Sequence, residues 1–256
     1  MSAYVLKLIA CIAMLVDHTA YVFEPQLSAV NPWLYVGCRM FGRLAFPLFA
    51  LGIAEGTTHT SSPKKYLRRM IIFALIAQIP FSLMLGIRST PVIASFSALG
   101  QTVSLYRSFS VMVTLFLGLA ACLSIHTGKH FGAALAIAAA YIIEKTVGMD
   151  YGLLGVLFII GLYLARASKF KRLIAELIFI ACFYFSPLRA FAKTLITTGS
   201  FKFSTGLLYA AATAFSAFVM LLYNKKPGRK SGLLFYAFYP VHMLMLWSIW
   251  FIIKVF

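Results

Sequence analysis

Nine apolar runs, each near the length of helix that crosses a lipid bilayer, leave this chain little choice of fold. A bilayer core takes about 20 helical residues. Turn signals divide the sequence into runs at 4–23, 33–54, 67–87, 110–126, 130–146, 151–166, 172–189, 206–223 and 231–254. The runs are continuous rather than alternating, which selects helices over a barrel. Short connections join the fourth, fifth and sixth runs, so eight or ten spans also suit the pattern. With 11% charged residues against 62% hydrophobic, the chain cannot cover a water-facing surface, for which about a quarter charged is usual. The expected fold is all-α: a polytopic transmembrane helical bundle of about nine spans, forming one domain over residues 1–256. The first run carries Asp17 and His18 and exceeds a signal-peptide core, so it reads as a retained span.

The charge is lopsided, 23 Lys+Arg against 6 Asp+Glu. Such a balance in a soluble protein points to nucleic acid. Here the basic residues collect in short loops: Lys64, Lys65, Arg68 and Arg69; Arg166, Lys169, Lys171 and Arg172; Lys225, Lys226, Arg229 and Lys230. With nine spans all three loops fall on one face, which the positive-inside rule makes cytoplasmic. Nucleic acid is therefore not expected as a partner, and the N-terminus is expected inside. The longer segments 88–109 and 190–205 fall outside and read as re-entrant or interfacial pieces over an outer cavity. Cys11, Cys38, Cys122 and Cys182 are scattered through apolar runs, without the spacing of a disulfide framework or zinc site.

An ionisable group inside a span costs at least ~2.5–3.5 kcal/mol at a helix centre and usually faces a cavity. Asp17 and His18 lie in the outer half of the first run. Arg39 and Arg43, four apart and so on one helix face, lie in the outer half of the second, with Pro47 one turn beyond. The short loop between these runs makes Asp17 a neighbour of Arg39 or Arg43, either as a structural ion pair or as part of a site. His18 points about 100° away from Asp17 and is a candidate general base or acyl carrier, or a structural histidine. His242 follows Tyr239 and Pro240 in the last run and has the same two readings. Asp150 and Tyr151, beside Lys145, stand at the rim of an outer cavity or at a solvated helix end. Glu55 reads as an interfacial residue, Gln78 beside Pro80 as interhelical glue, and His59, His126 and His130 as solvated loop residues. No metal motif, Walker loop or GxSxG appears.

The run Gly42-Arg43-Leu44-Ala45-Phe46-Pro47-Leu48-Phe49-Ala50 resembles the signature of the TraX family. Ordered matches cover nearly the whole chain: Leu6-Lys7-Leu8-Ile9-Ala10, Met14-Leu15-Val16-Asp17-His18, Glu55-Gly56, Tyr66-Leu67-Arg68-Arg69 and Gln78-Ile79-Pro80-Phe81, then Thr114-Leu115-Phe116-Leu117-Gly118, Asp150-Tyr151-Gly152-Leu153-Leu154-Gly155 and Phe235-Tyr236-Ala237-Phe238-Tyr239-Pro240-Val241-His242. Ser110 stands where the resemblance leads one to expect Asn. The resemblance implies a membrane acetyltransferase of the kind associated with pilin N-terminal acetylation, related to the larger superfamily that acylates exported glycans. It implies a bacterial inner membrane as the location.

What the resemblance implies for mechanism is transfer of an acetyl group from cytoplasmic acetyl-CoA to an acceptor amine or hydroxyl near the outer face. His18, Asp17 and Arg43 are the expected catalytic residues. Arg39, His242, Asp150 and Tyr239 are expected to bind substrate. Lys64, Lys65, Arg68 and Arg69 are expected to hold the CoA phosphates, no metal is expected, and the acceptor is a pilin-like protein or a glycan. Two other readings stay open: a proton-coupled transporter or flippase using Asp17, His18, Arg43 and His242 as a relay, and a non-enzymatic assembly factor.

Overall fold

The computed structural model describes residues 1–90, 92–201, 203–229 and 232–256; Lys230 of the third basic loop and Ser231, the first residue of the last predicted run, lie outside them. The order is α1 (Ala3–Val22), α2 (Glu24–Val30), α3 (Pro32–Gly42), α4 (Ala45–His59), α5 (Pro63–Gly86), β1 (Val92–Ala98), β2 (Gln101–Tyr106), α6 (Val111–His126), α7 (His130–Thr146), α8 (Gly152–Leu164), α9 (Lys169–Phe183), α10 (Phe185–Thr198), α11 (Thr205–Leu221) and α12 (Leu234–Val255). Every predicted apolar run is thus helical, and the molecule is an all-helical bundle with one small hairpin.

Two predicted runs are broken, and proline explains both. Pro47 has no N–H to give the carbonyl of Arg43, and its ring crowds that carbonyl. The second run accordingly splits at Arg43–Leu44 into α3 and α4. Pro187 stands in the same relation to Phe183, where α9 stops, and α10 leaves at 78°. Pro80 and Pro240 remain inside α5 and α12. Four segments are long and apolar enough to cross a membrane: α1, α3 with α4, α5 and α12. The bent α9–α10 pair would make a fifth, while α6, α8 and α11 are apolar but shorter.

The segment 88–109, read as re-entrant or interfacial, contains an antiparallel hairpin pairing Val92 with Tyr106 through Ala98 with Gln101. Its turn residues Leu99 and Gly100 both have positive φ, 49° and 75°, the conformation that suits tight hairpins. β2 lies directly on Gly86 of α5, where a side chain would overlap the Ser104 carbonyl. The segment 190–205 is mostly the end of α10.

Small residues let the helices approach closely. A methyl at Gly118 of α6 would collide with Ile159 of α8, and one at Gly155 of α8 with Tyr151, Thr114 and Phe46. Gln78 behaves as interhelical glue: Nε2 donates to the Ser108 carbonyl at 2.7 Å, and Oε1 accepts from the Ser110 N–H at 3.1 Å. Ile72, Leu75, Ile76 and Ile79 of α5 stand exposed, an apolar stripe that suits lipid.

The basic loops meet at one end of the bundle. The Ala3 and Tyr4 N–H groups donate to the carbonyls of Lys226 and Pro227. Lys225 Nζ donates to the Arg166 carbonyl and Lys169 Nζ to the Leu221 carbonyl. Arg69, from the remaining basic loop, lines one cavity with Lys7 and Gly232. At the opposite end Arg88 pairs with Glu24 at 2.6 Å.

Candidate functional site

Two polar groups converge where α1 passes between α3 and α12. In the first, the Asp17 carboxylate takes Arg39 Nη1 on one oxygen at 2.7 Å and Arg43 Nη2 on the other at 3.3 Å. Arg39 and Arg43 share a face of α3, as their spacing requires, and Arg43 Nε also donates to the Arg39 carbonyl. The close approach of α3 depends on Gly42, because a Cβ there would occupy the space of the Asp17 side chain. Arg39 lies over the Tyr21 ring at 5.7 Å and Arg43 over the Tyr209 ring at 5.2 Å. One carboxylate between two guanidiniums leaves a net positive charge, and Asp150 and Tyr151 lie within electrostatic reach of Arg43.

In the second group, His18 turns away from Asp17 toward α12. Its Nδ1 lies 2.8 Å from His242 Nε2, and the two rings are nearly parallel, 12° apart with centroids at 5.0 Å. His242 Nδ1 donates to the Phe238 carbonyl at 2.7 Å, one turn back. Tyr239 packs edge-on against both rings, centroids at 6.5 and 5.9 Å. His242 is 2% exposed, whereas His18 is half-buried.

Beneath this pair a cavity of about 310 Å³ runs toward the basic end of the bundle, within the size range of small-molecule sites. Lys7, His59, Thr60 and Arg69 supply its polar lining, and Met14, Phe49, Ile53, Met70, Met112 and Leu115 its apolar wall. On α1, Lys7, Cys11, Met14 and His18 recur at the spacing of one helical face. Of that stripe Lys7 and Met14 line the cavity, and His18 lies about one helical turn beyond Met14. On α12 the lining residues Phe235 and Tyr239 lead to His242 in the same way. Gly52 and Gly56 of α4 keep the opposite wall low.

The structure therefore brings together Asp17, Arg39 and Arg43, and beside them His18, His242 and Tyr239, with Asp150 near Arg43. Of the four basic residues expected to hold a cofactor, only Arg69 lines the cavity; Lys64, Lys65 and Arg68 point elsewhere on the same helical end. Lys7 and His59, which line it, were not singled out for this role, His59 being read as solvated. The signal for Lys7 was present: a lysine inside an apolar span, eleven residues before His18 on one stripe.

A separate buried charge group joins α4, α9 and α11. Glu55, read as interfacial, is buried, with Oε1 4.0 Å from Arg172 Nη1. Glu176 is also buried and accepts a hydrogen bond from Ser216.

The family described as TraX protein matches residues 2–250. A relative from Dichelobacter nodosus, described as "Probable fimbrial assembly protein FimC, serogroup H1", is 29% identical over 248 residues, covering 96% of this chain and 95% of its own length. No solved structure matches this chain significantly.

Proposed function

This chain belongs to the TraX family, and from that premise we propose that it is a membrane-embedded acetyltransferase, taking its acetyl group from cytoplasmic acetyl-CoA. The observation that carries the proposal is the cavity that has Lys7 and Arg69 in its lining and ends at Met14 and Tyr239, about one helical turn short of the His18–His242 pair. Lys7 and Arg69, with His59, suit the phosphates of CoA. The apolar wall suits the pantetheine arm, which delivers the thioester beneath Tyr239. The basic end then faces the cytoplasm, in a bacterial inner membrane.

His18 accepts the proton of the acceptor amine or hydroxyl as the acceptor's lone pair attacks the thioester carbonyl. The C–S bond then breaks, and the departing thiolate recovers the proton as CoA thiol. In the variant of this scheme His18 carries the acetyl group between the two partners. Arg43, which makes a longer contact to Asp17 than Arg39 does, stabilises the oxyanion. Arg39 and Asp150 extend the polar lining toward the acceptor. A pilin-like protein or an exported glycan is the acceptor class, and the fimbrial assembly role named for the relative favours the former.

Binding of acetyl-CoA to the purified protein tests this reading. Saturable binding is expected. Gly52→Trp, which fills the cavity, should abolish it, and Lys7→Ala should weaken it about tenfold, the loss of one charge-assisted hydrogen bond. Failure of the folded wild-type protein to bind acetyl-CoA would contradict the proposal.

The buried group of Glu55, Arg172 and Glu176 favours a second reading, a proton-coupled transporter, because it places ionisable residues in the half of the bundle away from Asp17. Proton-gradient-dependent uptake by proteoliposomes, without consumption of acetyl-CoA, would select that reading.

A further inference from the structure

The hydrogen bonds linking Phe238, His242 and His18 assign a direction to the chain they form. A backbone carbonyl only accepts, so His242 Nδ1 carries a hydrogen and donates to Phe238. One nitrogen of the 2.8 Å His18–His242 contact must donate and the other accept. Were His242 Nε2 the donor, both its nitrogens would be protonated and the ring would be a cation. That ring is 2% exposed and stacked on Phe238, and no carboxylate among the described residues pairs with it. An unpaired charge in such a place is costly. His242 Nε2 therefore accepts, and His18 Nδ1 donates. Neutral imidazole carries one hydrogen, so the lone pair of His18 is on Nε2, the nitrogen that makes no hydrogen bond to any described residue.

We propose that His242 is a positioning residue that fixes His18 in the Nδ1–H tautomer and so presents Nε2 as its basic nitrogen. Which nitrogen of a histidine is free is set by the hydrogen bond the other makes, and here the last helix of the chain makes it for the first. The α12 stripe supplies the geometry: Phe238 holds His242, and Tyr239 wedges edge-on against both rings. The benefit to acetyl transfer rests on the acetyltransferase reading above; the tautomer itself does not.

Nitrogen-15 NMR of histidine-labelled protein in detergent tests the assignment. The His18 signals are identified by their loss in His18→Gln. In the wild-type protein His18 should show a protonated Nδ1 and a bare Nε2, the minor form for free imidazole. His242→Gln should preserve that pattern, since an amide can donate to Phe238 and accept from His18. His242→Leu should release His18 to the Nε2–H form and lower kcat at least tenfold, with KM for acetyl-CoA unchanged and with kcat restored in His242→Gln. A wild-type His18 protonated on Nε2 would overturn the proposal, and so would a folded His242→Leu protein with an unchanged His18 tautomer. If the leucine variant does not fold, the wild-type spectrum alone decides. The assigned tautomer in a protein that transfers no acetyl group would refute the acetyltransferase reading and leave the positioning role standing.

Discussion

At the scale of single residues, Asp17 holds the site's charge together. It is the carboxylate shared by Arg39 and Arg43, and all three side chains are mostly buried. Asp17→Asn removes the charge and keeps the shape, leaving two guanidiniums uncompensated. Breaking a buried pair from one side costs about 3–5 kcal/mol, so the variant should melt well below the wild type in detergent, with Asp17→Glu falling between them. An unchanged melting temperature would show that the pair contributes little. This cluster was legible in the sequence because two arginines four apart on one helix follow an aspartate across a short loop. The His18–His242 contact was not, since its members are 224 residues apart and no local pattern states which helices of a bundle adjoin. Lys7 was legible in principle, as an ionisable group inside a span, yet one lysine near a helix end also reads as an orientation signal.

At the scale of elements, what matters is how closely α1 and α3 approach. Gly42 has no side chain because Asp17 fills that space. Gly42→Ala should therefore destabilise by about 1–3 kcal/mol, the range for overpacking, and displace the carboxylate from Arg43. Because both changes act on one contact, their costs should not add. The Gly42→Ala/Asp17→Asn double variant should melt near the poorer single variant, and strict additivity would show that the two sites act separately. The helical runs were readable from length and continuity, but Pro47 signals only a kink within its run, and Pro187 stands near the end of a run without marking a break. The hairpin escaped because its alternation is short and set among apolar runs, although Leu99-Gly100 followed by Gln101-Thr102-Val103 carries a turn and a β-branched strand. The weak length of α6, α8 and α11 has the same origin as the ambiguity over span number, since short apolar helices are marginal on either criterion.

At the scale of the whole molecule, the three basic loops share one end with the N-terminus, and the histidine pair lies deeper, about one helical turn past the cavity residues Met14 and Tyr239. The account requires that end to face the cytoplasm. In a cysteine-free background, Lys64→Cys, Arg166→Cys and Lys226→Cys should react with a membrane-impermeant maleimide only after cells are opened, while Thr198→Cys should react in intact spheroplasts. Labelling in the reverse order would turn the cavity mouth outward and separate it from acetyl-CoA. The most direct test of the central claim is release of free CoA thiol from acetyl-CoA by the purified protein, with peptide amines and sugars offered as acceptors, wild type beside His18→Ala. The account predicts acceptor-dependent release by the wild type that disappears in a folded His18→Ala variant. Equal release by the two proteins would remove His18 from the chemistry and contradict the account.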